Sequence, residues 1–518
     1  MPPTGPASLR RNALANMAGR LASAVIWVAV TPFVLARFGQ ERFAVWSLFF
    51  VLSGYVATLD LGMSSGLARF VALGVARGSR RAVRRAVLRS LAVSIAMGLL
   101  AALLAVLLRG LFLRAFHVPP ALAPEVERSL LVFALLLIAF SVTQVLQGTL
   151  AGFQRLDLQN LCFVAGLTLH TALLVLVLAR GGGLVGAVAA ILAGHLLAGL
   201  LALRGFSRCL RTLPPGGDDA TPTWRELVGF GLSVQATNAL AAGQLQAAKL
   251  LVGVLGRLVW VTQFELGFRV ANTVWSLPVL VLGAVIPASA HASEAGGEDA
   301  LREIYSWASR WVFALAGVAL AGVWLTAGPL MTLWLGAGHP QATAVARGLA
   351  AAFAVATVFS PAGAVARGGG WPWLESRTYG VALVLNVATA LVLVPRMGVT
   401  GAAWSMALSY AAAGAWLVAS LHRRLAIPTG AWLARTVAPR LLPPFVVAGV
   451  LFWTLGTHLP ESRGSALRLL ALEGGLFMVA AAWFSWLTGD AGAVMTMARH
   501  RLAGGAPATA AGRTTPWV

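Results

Sequence analysis

Long apolar runs recur along almost the whole chain, and each run is bounded by charged residues, glycine or proline. A helix that spans a bilayer needs about 20 mostly apolar residues, and the runs have about this length. They predict an all-α membrane protein with about fourteen spanning helices. The predicted spans are 16–36, 43–63, 89–108, 129–148, 161–179, 184–203, 227–249, 260–284, 309–328, 343–365, 377–395, 399–420, 437–457 and 467–487.

The composition agrees with a membrane location. Charged residues make up 11% of the 518 residues, hydrophobic residues make up 58%, and the mean hydropathy is +0.81. A soluble domain averages about 25% charged residues, so this chain could not cover a water-facing surface of comparable size. Because lipid-facing positions need no charge, the composition excludes an ordinary soluble protein.

Basic residues outnumber acidic residues by 39 to 17, which gives a net charge of +22. In a soluble protein this excess would indicate nucleic-acid binding, but in membrane proteins positive residues concentrate in cytoplasmic loops. With the N-terminus in the cytoplasm, most arginines fall on the cytoplasmic side and fewer, such as Arg257 and Arg347, on the outer side. The bias predicts an even number of spans in a bacterial inner membrane, both termini in the cytoplasm and no nucleic-acid partner.

Four arginines between the second and third spans, Arg80, Arg81, Arg84 and Arg85, recur at helical spacing. Residues at this spacing share one face of a helix. Two interpretations stay open: the face lies on the anionic lipids of the inner leaflet, or it only anchors the neighbouring spans on the cytoplasmic side.

Polar segments divide the chain into domains. Residues 212–226 are rich in proline, glycine and aspartate and predict a cytoplasmic linker. We therefore expect a six-helix bundle on each side of this linker and two further spans after the second bundle. The predicted domains are 1–211, the linker 212–226, 227–425, the two additional helices in 426–490, and a disordered cytoplasmic tail in 491–518.

A weak internal repeat relates the two predicted bundles at an interval of about 215 residues. The segment 176–178 recurs as 391–393, and the glycine pattern of 183–187 recurs in 398–402. Six spans separate equivalent positions, so the two halves have the same orientation in the membrane. Repeats of this kind, related by an axis along the membrane normal, are typical of transporters that work by alternating access.

Three sequence segments combine glycine, proline, aromatic and charged residues in a recognisable order. They contain Asn16, Gly19, Arg20, Pro32, Leu35, Gly39, Phe43, Trp46 and Asp60-Leu61-Gly62, then Gln147-Gly148, Gly152, Arg155, Asp157 and Asn160, and finally Lys249 to Gly253. This order resembles the polysaccharide-export and O-antigen flippases, within the larger group that holds multidrug and toxin extrusion (MATE) pumps and the lipid II flippase. The resemblance covers residues 12 to about 425, and spans thirteen and fourteen match the longer members. It implies two six-helix bundles in a V shape, a basic central cavity, and a cargo built on polyprenyl pyrophosphate.

Five ionisable residues within spans are the strongest functional candidates, because each costs about 2.5–3.5 kcal/mol at the membrane centre on insertion scales. Arg20 and Asp60 lie at similar depth on consecutive spans and predict an ion pair, with a gate or binding contact as the alternative. Lys249, the only lysine of the chain, predicts a structural pair with Glu265. The alternative is that Lys249 and Arg269 add positive field to a transport cavity.

Polar, uncharged residues within the spans are a second set of candidates. Amides suit sugar hydroxyl groups because they both donate and accept hydrogen bonds, but they also join helices to one another. The sequence leaves both roles open for Gln144, Gln147, Gln235 and Asn238. The histidines of the fifth and sixth spans are interpreted as packing residues, with proton transfer as the alternative.

These observations favour a transporter that flips a lipid-linked oligosaccharide from the cytoplasmic to the outer leaflet. The alternative is a cation-coupled drug or metabolite exporter of the MATE type, for which Asp60 and Glu265 are the candidate carboxylates. A membrane enzyme is disfavoured because the sequence has no paired-carboxylate, metal-ligand or nucleophile motif. We expect no cofactor, membrane lipids as partners, and a coupling ion that the sequence leaves open between H⁺ and Na⁺.

Overall fold

The computed structural model describes residues 6–58, 63–215, 224–455 and 459–487, and every regular element among them is helical. The all-helical fold class is confirmed. The helices are α1 (Pro6–Thr58), α2 (Met63–Ala76), α3 (Arg80–Leu107), α4 (Arg109–Ala115), α5 (Ala123–Gly152), α6 (Leu156–Ala179), α7 (Leu184–Arg211), α8 (Trp224–Leu255), α9 (Leu258–Ala295), α10 (Gly297–Leu335), α11 (Pro340–Gly368), α12 (Pro372–Met397), α13 (Val399–Arg424), α14 (Thr429–Trp432), a π-helical turn (Leu433–Val437), α15 (Ala438–Leu455) and α16 (Arg463–Leu487).

Eleven helices of the described part are long and apolar enough to cross a membrane. The remaining predicted spans fall on α8 and on α1, which holds two of them and is interrupted at Gly39. Gly39 has φ 70°, a backbone conformation that glycine adopts without steric cost, and it lies between the first two predicted spans. Together these helices make the chain a multi-pass membrane protein.

The chain divides into two compact units. Unit 1 holds residues 1–246 and 257–262, and unit 2 holds residues 247–256 and 263–518. The helix α8 therefore contributes to both units, and its last turns belong to unit 2. The domain boundaries expected from the sequence stay a prediction.

Unit 1 is built on tight packing of α6 and α7 against each other and of α5 against α3 and α7. The backbones of α6 and α7 come close because a glycine from each helix lies at their contact. A Cβ atom on Gly166 would lie 2.6 Å from the carbonyl oxygen of Gly194, and the reverse contact is equally close. Small residues at such crossings let membrane helices pack through their backbones.

A half-buried carboxylate positions the beginning of α7. The backbone N–H of Leu184 donates to Oε1 of Glu125 at 2.7 Å, and Nε of Arg42 donates to Oε2 at 2.8 Å. The first N–H groups of a helix have no partner within the helix, so Glu125 satisfies one of them and also complements the positive end of the helix dipole. This arrangement ties α1, α5 and α7 together at one end of unit 1.

Unit 2 consists of the last turns of α8, most of α9, the helices α10 to α13 and two additional helices. The helices α15 and α16 both pack against α10. The connection from α13 to α15 is anchored by Trp432, which is fully buried and stacks on Tyr305 with 5.8 Å between ring centroids. His422 is hydrogen-bonded to the Tyr305 hydroxyl at 3.0 Å, so this connection is a packed part of unit 2.

Candidate functional site

A cluster of three charged side chains lies within the membrane-spanning part of unit 2, where α8 ends and α9 begins. Lys249 lies about 9 Å from the end of α8, and Glu265 lies about 10 Å from the beginning of α9, at a rise of about 1.5 Å per residue. The turn between these helices is short, so the two positions lie at matching depth. The sequence placed Lys249 at the very end of its span, whereas the structure places it one to two turns inside the helix.

Glu265 holds both basic residues of this cluster. Its Oε2 forms a salt bridge with Nζ of Lys249, and its Oε1 accepts a hydrogen bond from Nε of Arg269 at 2.7 Å. Lys249 is 4% exposed, Glu265 is 7% exposed, and the side chain of Arg269 is 15% exposed. The Lys249–Glu265 pair, which the sequence offered as one of two alternatives, is therefore present, and Arg269 extends it to a triad.

The surroundings of the triad are apolar and aromatic. The ammonium group of Lys249 lies 5.3 Å from the centroid of the Phe268 ring, and Phe268 stacks on Phe264 at 6.1 Å. A cation over an aromatic face is attracted by the ring quadrupole. Two cations share one carboxylate here, so the triad carries a formal charge of +1 in a region from which water is largely excluded.

Three of the other predicted site residues, Arg20, Gln235 and Asp60, lie wholly or partly outside the described residues. Arg20 lies on α1 and Gln235 on α8, but their side chains lie outside the described residues. Asp60 also lies outside the described residues. The predicted ion pair between Arg20 and Asp60 therefore stays a prediction.

The remaining predicted amides belong to unit 1, whereas the triad belongs to unit 2. Gln144 and Gln147 are half-buried on α5, and Asn238 is exposed on α8. Their assignment to a translocation cavity stays a prediction.

The two histidines of unit 1 are packed among aromatic rings. The His170 ring lies 5.8 Å from Trp27, and the His195 ring lies 5.1 Å from Phe140. Both are therefore part of the aromatic packing of this unit, in line with the interpretation preferred from the sequence.

Sequence reasoning missed two further buried carboxylates of unit 2. Glu375 receives two hydrogen bonds from Arg367, both at 2.6 Å, across the turn from α11 to α12. Glu473 is buried on α16 and interacts electrostatically with Arg347. The signal was available, since Glu473 lies in the middle of the predicted span 467–487. Arg347, which the sequence assigned to the outer side, lies inside α11 and is half-buried, and its side of the membrane stays a prediction.

The comparisons with known proteins concern the fold. The model of the MatE family matches residues 17–176. No curated protein matches the chain. Among solved structures, an inward-facing multidrug resistance MATE family transporter of the MOP superfamily aligns with a TM-score of 0.64 and 17% identity, over 79% of this chain and 94% of that chain.

Two other solved structures also align with most of the chain. A MOP superfamily transporter from Pyrococcus furiosus, described as having a binding pocket of reversed polarity, aligns with a TM-score of 0.62 and 16% identity over 81% of this chain and 95% of that chain. The lipid II flippase MurJ, in an inward closed conformation, aligns with a TM-score of 0.70 and 10% identity over 92% of this chain and 98% of that chain. The protein is thus a multi-pass membrane protein with the fold of MATE-like transporters.

Proposed function

We propose that the protein is a transporter that moves a polyprenyl-pyrophosphate-linked oligosaccharide from the cytoplasmic to the outer leaflet by alternating access. The observation that carries the proposal is the positive charge of the Lys249–Glu265–Arg269 triad within the membrane. A pyrophosphate group is negatively charged and must cross a region of low dielectric. Fixed cations lower that electrostatic barrier, whereas a neutral or acidic site would not.

The extent of the structural likeness favours a lipid-linked cargo over a drug. The lipid II flippase structure aligns with 92% of this chain, compared with 79% for the MATE transporter. More of this chain thus has a counterpart in the flippase than in the MATE transporter. The two additional helices α15 and α16 fit this greater length.

The second candidate is an exporter of cationic drugs or metabolites of the MATE type, which the MatE match over residues 17–176 favours. A pump for cations needs an acidic group that is free to bind its cargo. Among the described residues, the buried carboxylates are Glu265, Glu375 and Glu473. Each of them has a basic neighbour, so none offers uncompensated negative charge, and we place this candidate second.

Exposed arginines at one end of unit 1 support the predicted orientation, in which the N-terminus lies in the cytoplasm. Arg81 and Arg84 are exposed near the beginning of α3, and Arg204 and Arg208 are exposed near the end of α7. These two helix ends pack together in one hydrophobic cluster, so their arginines lie at the same end of the unit. Positive residues concentrate on the cytoplasmic side of the membrane, and the cargo would accordingly be loaded from this side.

The proposal is tested with the purified full-length chain in proteoliposomes that contain undecaprenyl-pyrophosphate-linked N-acetylglucosamine as the probe. The probe in the outer leaflet is detected by a membrane-impermeant enzyme that oxidises the exposed sugar. We expect the accessible fraction to rise with the protein and to fall towards the protein-free level in the Arg269→Gln variant.

Uptake of the cationic dye ethidium into the same vesicles is the matched comparison. If ethidium is transported and the lipid-linked sugar is not, the protein is an exporter of the second kind and the flippase proposal is wrong. The Arg396→Gln variant is a suitable control, because Arg396 is an exposed arginine at the end of α12 and should leave transport unchanged.

A further inference from the structure

Three acidic side chains are buried among the described residues. Glu265 and Glu375 each form a salt bridge, whereas Glu473 forms none within 4 Å and has a carboxyl oxygen without a hydrogen-bond partner. Glu473 is 2% exposed on α16, and its Oε2 is buried without a partner. Removing a carboxylate from water without hydrogen bonds is costly, and such groups commonly bind a proton instead. This carboxyl group is not used by the proposed transport site.

The cation that faces Glu473 is already engaged by other groups. Nε of Arg347 donates to the carbonyl oxygen of Trp324 at 3.1 Å, and its guanidinium carbon lies 4.4 Å from the centroid of the Phe452 ring. Arg347 and Glu473 attract each other electrostatically. The arginine is thus held by α10 and α15 in both charge states of Glu473, so protonation of the carboxyl group need not release it.

A small cavity with His339, Thr343 and Glu461 in its lining lies at one end of unit 2. It has a volume of about 130 Å³ and lies where α10 ends, α11 begins and the segment before α16 passes over them. Thr343, which lines the cavity, precedes Arg347 by one helical turn on the same face of α11. A Cβ atom on Gly328 would lie 3.0 Å from Leu459, which lines the cavity, and 3.5 Å from Nη2 of Arg347. The arginine therefore lies close to the cavity wall.

Few other titratable groups face Glu473 from the helices that pack around it. Between Arg310 and Leu335, α10 has none. The titratable residue of α15 is Arg440. Its backbone packs against Gly317, which lies more than one turn before Gly322, the contact of Phe477 on α10. On α16 itself, Arg463 and Arg468 are exposed. The charge that acts on Glu473 from the described helices is therefore chiefly that of Arg347.

We propose that Glu473 is a proton-binding site of unit 2, which takes up a proton from water in the cavity at the ends of α10 and α11 and returns it by the same route. Proton uptake changes the pair from neutral to singly positive, because Arg347 keeps its charge. A metal cation such as Na⁺ fits less well, since it needs several oxygen ligands and would be repelled by the guanidinium group. Ionisable groups within spans commonly mark proton pathways.

The experiment is a pH titration of the full chain in lipid bilayers, followed by infrared difference spectroscopy of the protonated carboxyl stretch. We expect a carboxyl band that appears as the pH falls and shifts to lower frequency when the protein is labelled with ¹³C-glutamate. The band should be absent in Glu473→Gln and present in Glu461→Gln, an exposed carboxyl group of the cavity rim. In Arg347→Gln its midpoint should move to higher pH by about one unit or more, because a nearby cation favours the ionised form.

Two variants keep the test decisive if Glu473→Gln does not fold. Glu473→Asp keeps the carboxyl group but should give a band that no longer responds to glutamate labelling. If the glutamate-derived band persists in Glu473→Asp, it comes from another residue and the proposal is wrong. Absence of any titrating glutamate band in the folded wild-type protein would equally overturn it, and would make Glu473 a permanently ionised partner of Arg347.

Discussion

Replacing Glu265 by glutamine should destabilise the protein more than removing either of the cations that it binds. The Glu265→Gln variant keeps the shape of the side chain but leaves Lys249 and Arg269 buried with no anion between them. Removing one partner of a buried ion pair typically costs about 3–5 kcal/mol, because the other charge stays uncompensated. Here two like charges stay behind.

The magnitude follows from the geometry of the triad. The two cations bind different oxygens of one carboxylate, so we take a separation of about 5 Å between their charges for the estimate. At an effective dielectric constant of about 20, two unit charges at that distance repel each other by about 3 kcal/mol. In Arg269→Gln or Lys249→Met, by contrast, a neutral carboxylate–cation pair remains. We therefore expect these two variants to lose about 1.5–3 kcal/mol each, in the range of a single charged hydrogen bond.

The assay is the thermal midpoint of unfolding in detergent for the wild type and the three variants, together with lipid-linked sugar transport in proteoliposomes. Stability should fall most in Glu265→Gln. Transport should fall in Arg269→Gln and Lys249→Met, although both stay folded, because each lowers the charge of the triad from +1 to zero. The double variant Glu265→Gln/Arg269→Gln should recover part of the lost stability, since it removes the repulsion but leaves Lys249 without the carboxylate.

Two outcomes would refute this reasoning. If Glu265→Gln is as stable as the wild type, the two cations do not depend on the carboxylate, and the triad does not hold α8 to α9. If Arg269→Gln and Lys249→Met are folded and transport the probe at the wild-type rate, the positive charge of the triad has no part in transport.

Three further predictions concern stability. Gly194→Ala should lower the melting temperature, by an amount equivalent to about 1–3 kcal/mol, because its Cβ would lie 2.6 Å from a carbonyl oxygen of α6; Gly283→Ala, at an open position, is the control. Glu125→Ala should cost about 1–2 kcal/mol by uncapping α7, whereas the exposed Glu127→Ala should be neutral in the same melting assay. Burial lowers the pKa of His339 in the loop before α11. The imidazole therefore binds a proton more tightly in the unfolded chain, and the folded state should lose stability as the pH falls through about 6.5. In His339→Gln, melting curves should show a weaker dependence on pH, and an unchanged dependence would contradict this assignment.

The helices could be predicted from the sequence because each is a local property of the chain. A run of about 20 apolar residues fixes the length of a span, and a glycine with positive φ such as Gly39 coincides with the break between two of them. The lengths of the helices could not be predicted in the same way. The helix α10 extends over residues 297–335, well beyond its predicted span 309–328, because a helix continues through the polar membrane surface without any change in hydropathy.

Contacts between buried charged residues could be predicted only where the residues lie on the same helix or on consecutive helices. Lys249 and Glu265 lie on consecutive helices at matching depth, so their pairing follows from the length of the turn between them. Arg269 follows Glu265 by one turn on the same face, which makes the third contact local as well. Arg347 and Glu473 are separated by four helices in the chain, and their proximity results from the packing of α16 on unit 2, which hydropathy does not encode.

Each of the three buried carboxylates of the described residues interacts with a cation on another helix, and this bears on how the helices of unit 2 can move. Glu265 binds α9 to α8, Glu375 binds α12 to α11, and Glu473 faces Arg347 of α11 from α16. A buried pair that is joined by direct hydrogen bonds cannot slide without exposing a charge, so the first two hold their helices in fixed register. The Glu473 pair lacks such a bond at Oε2. Of these three pairs, we therefore expect that of Glu473 to yield most readily to a change of charge state, which would alter the attachment of α16 to unit 2.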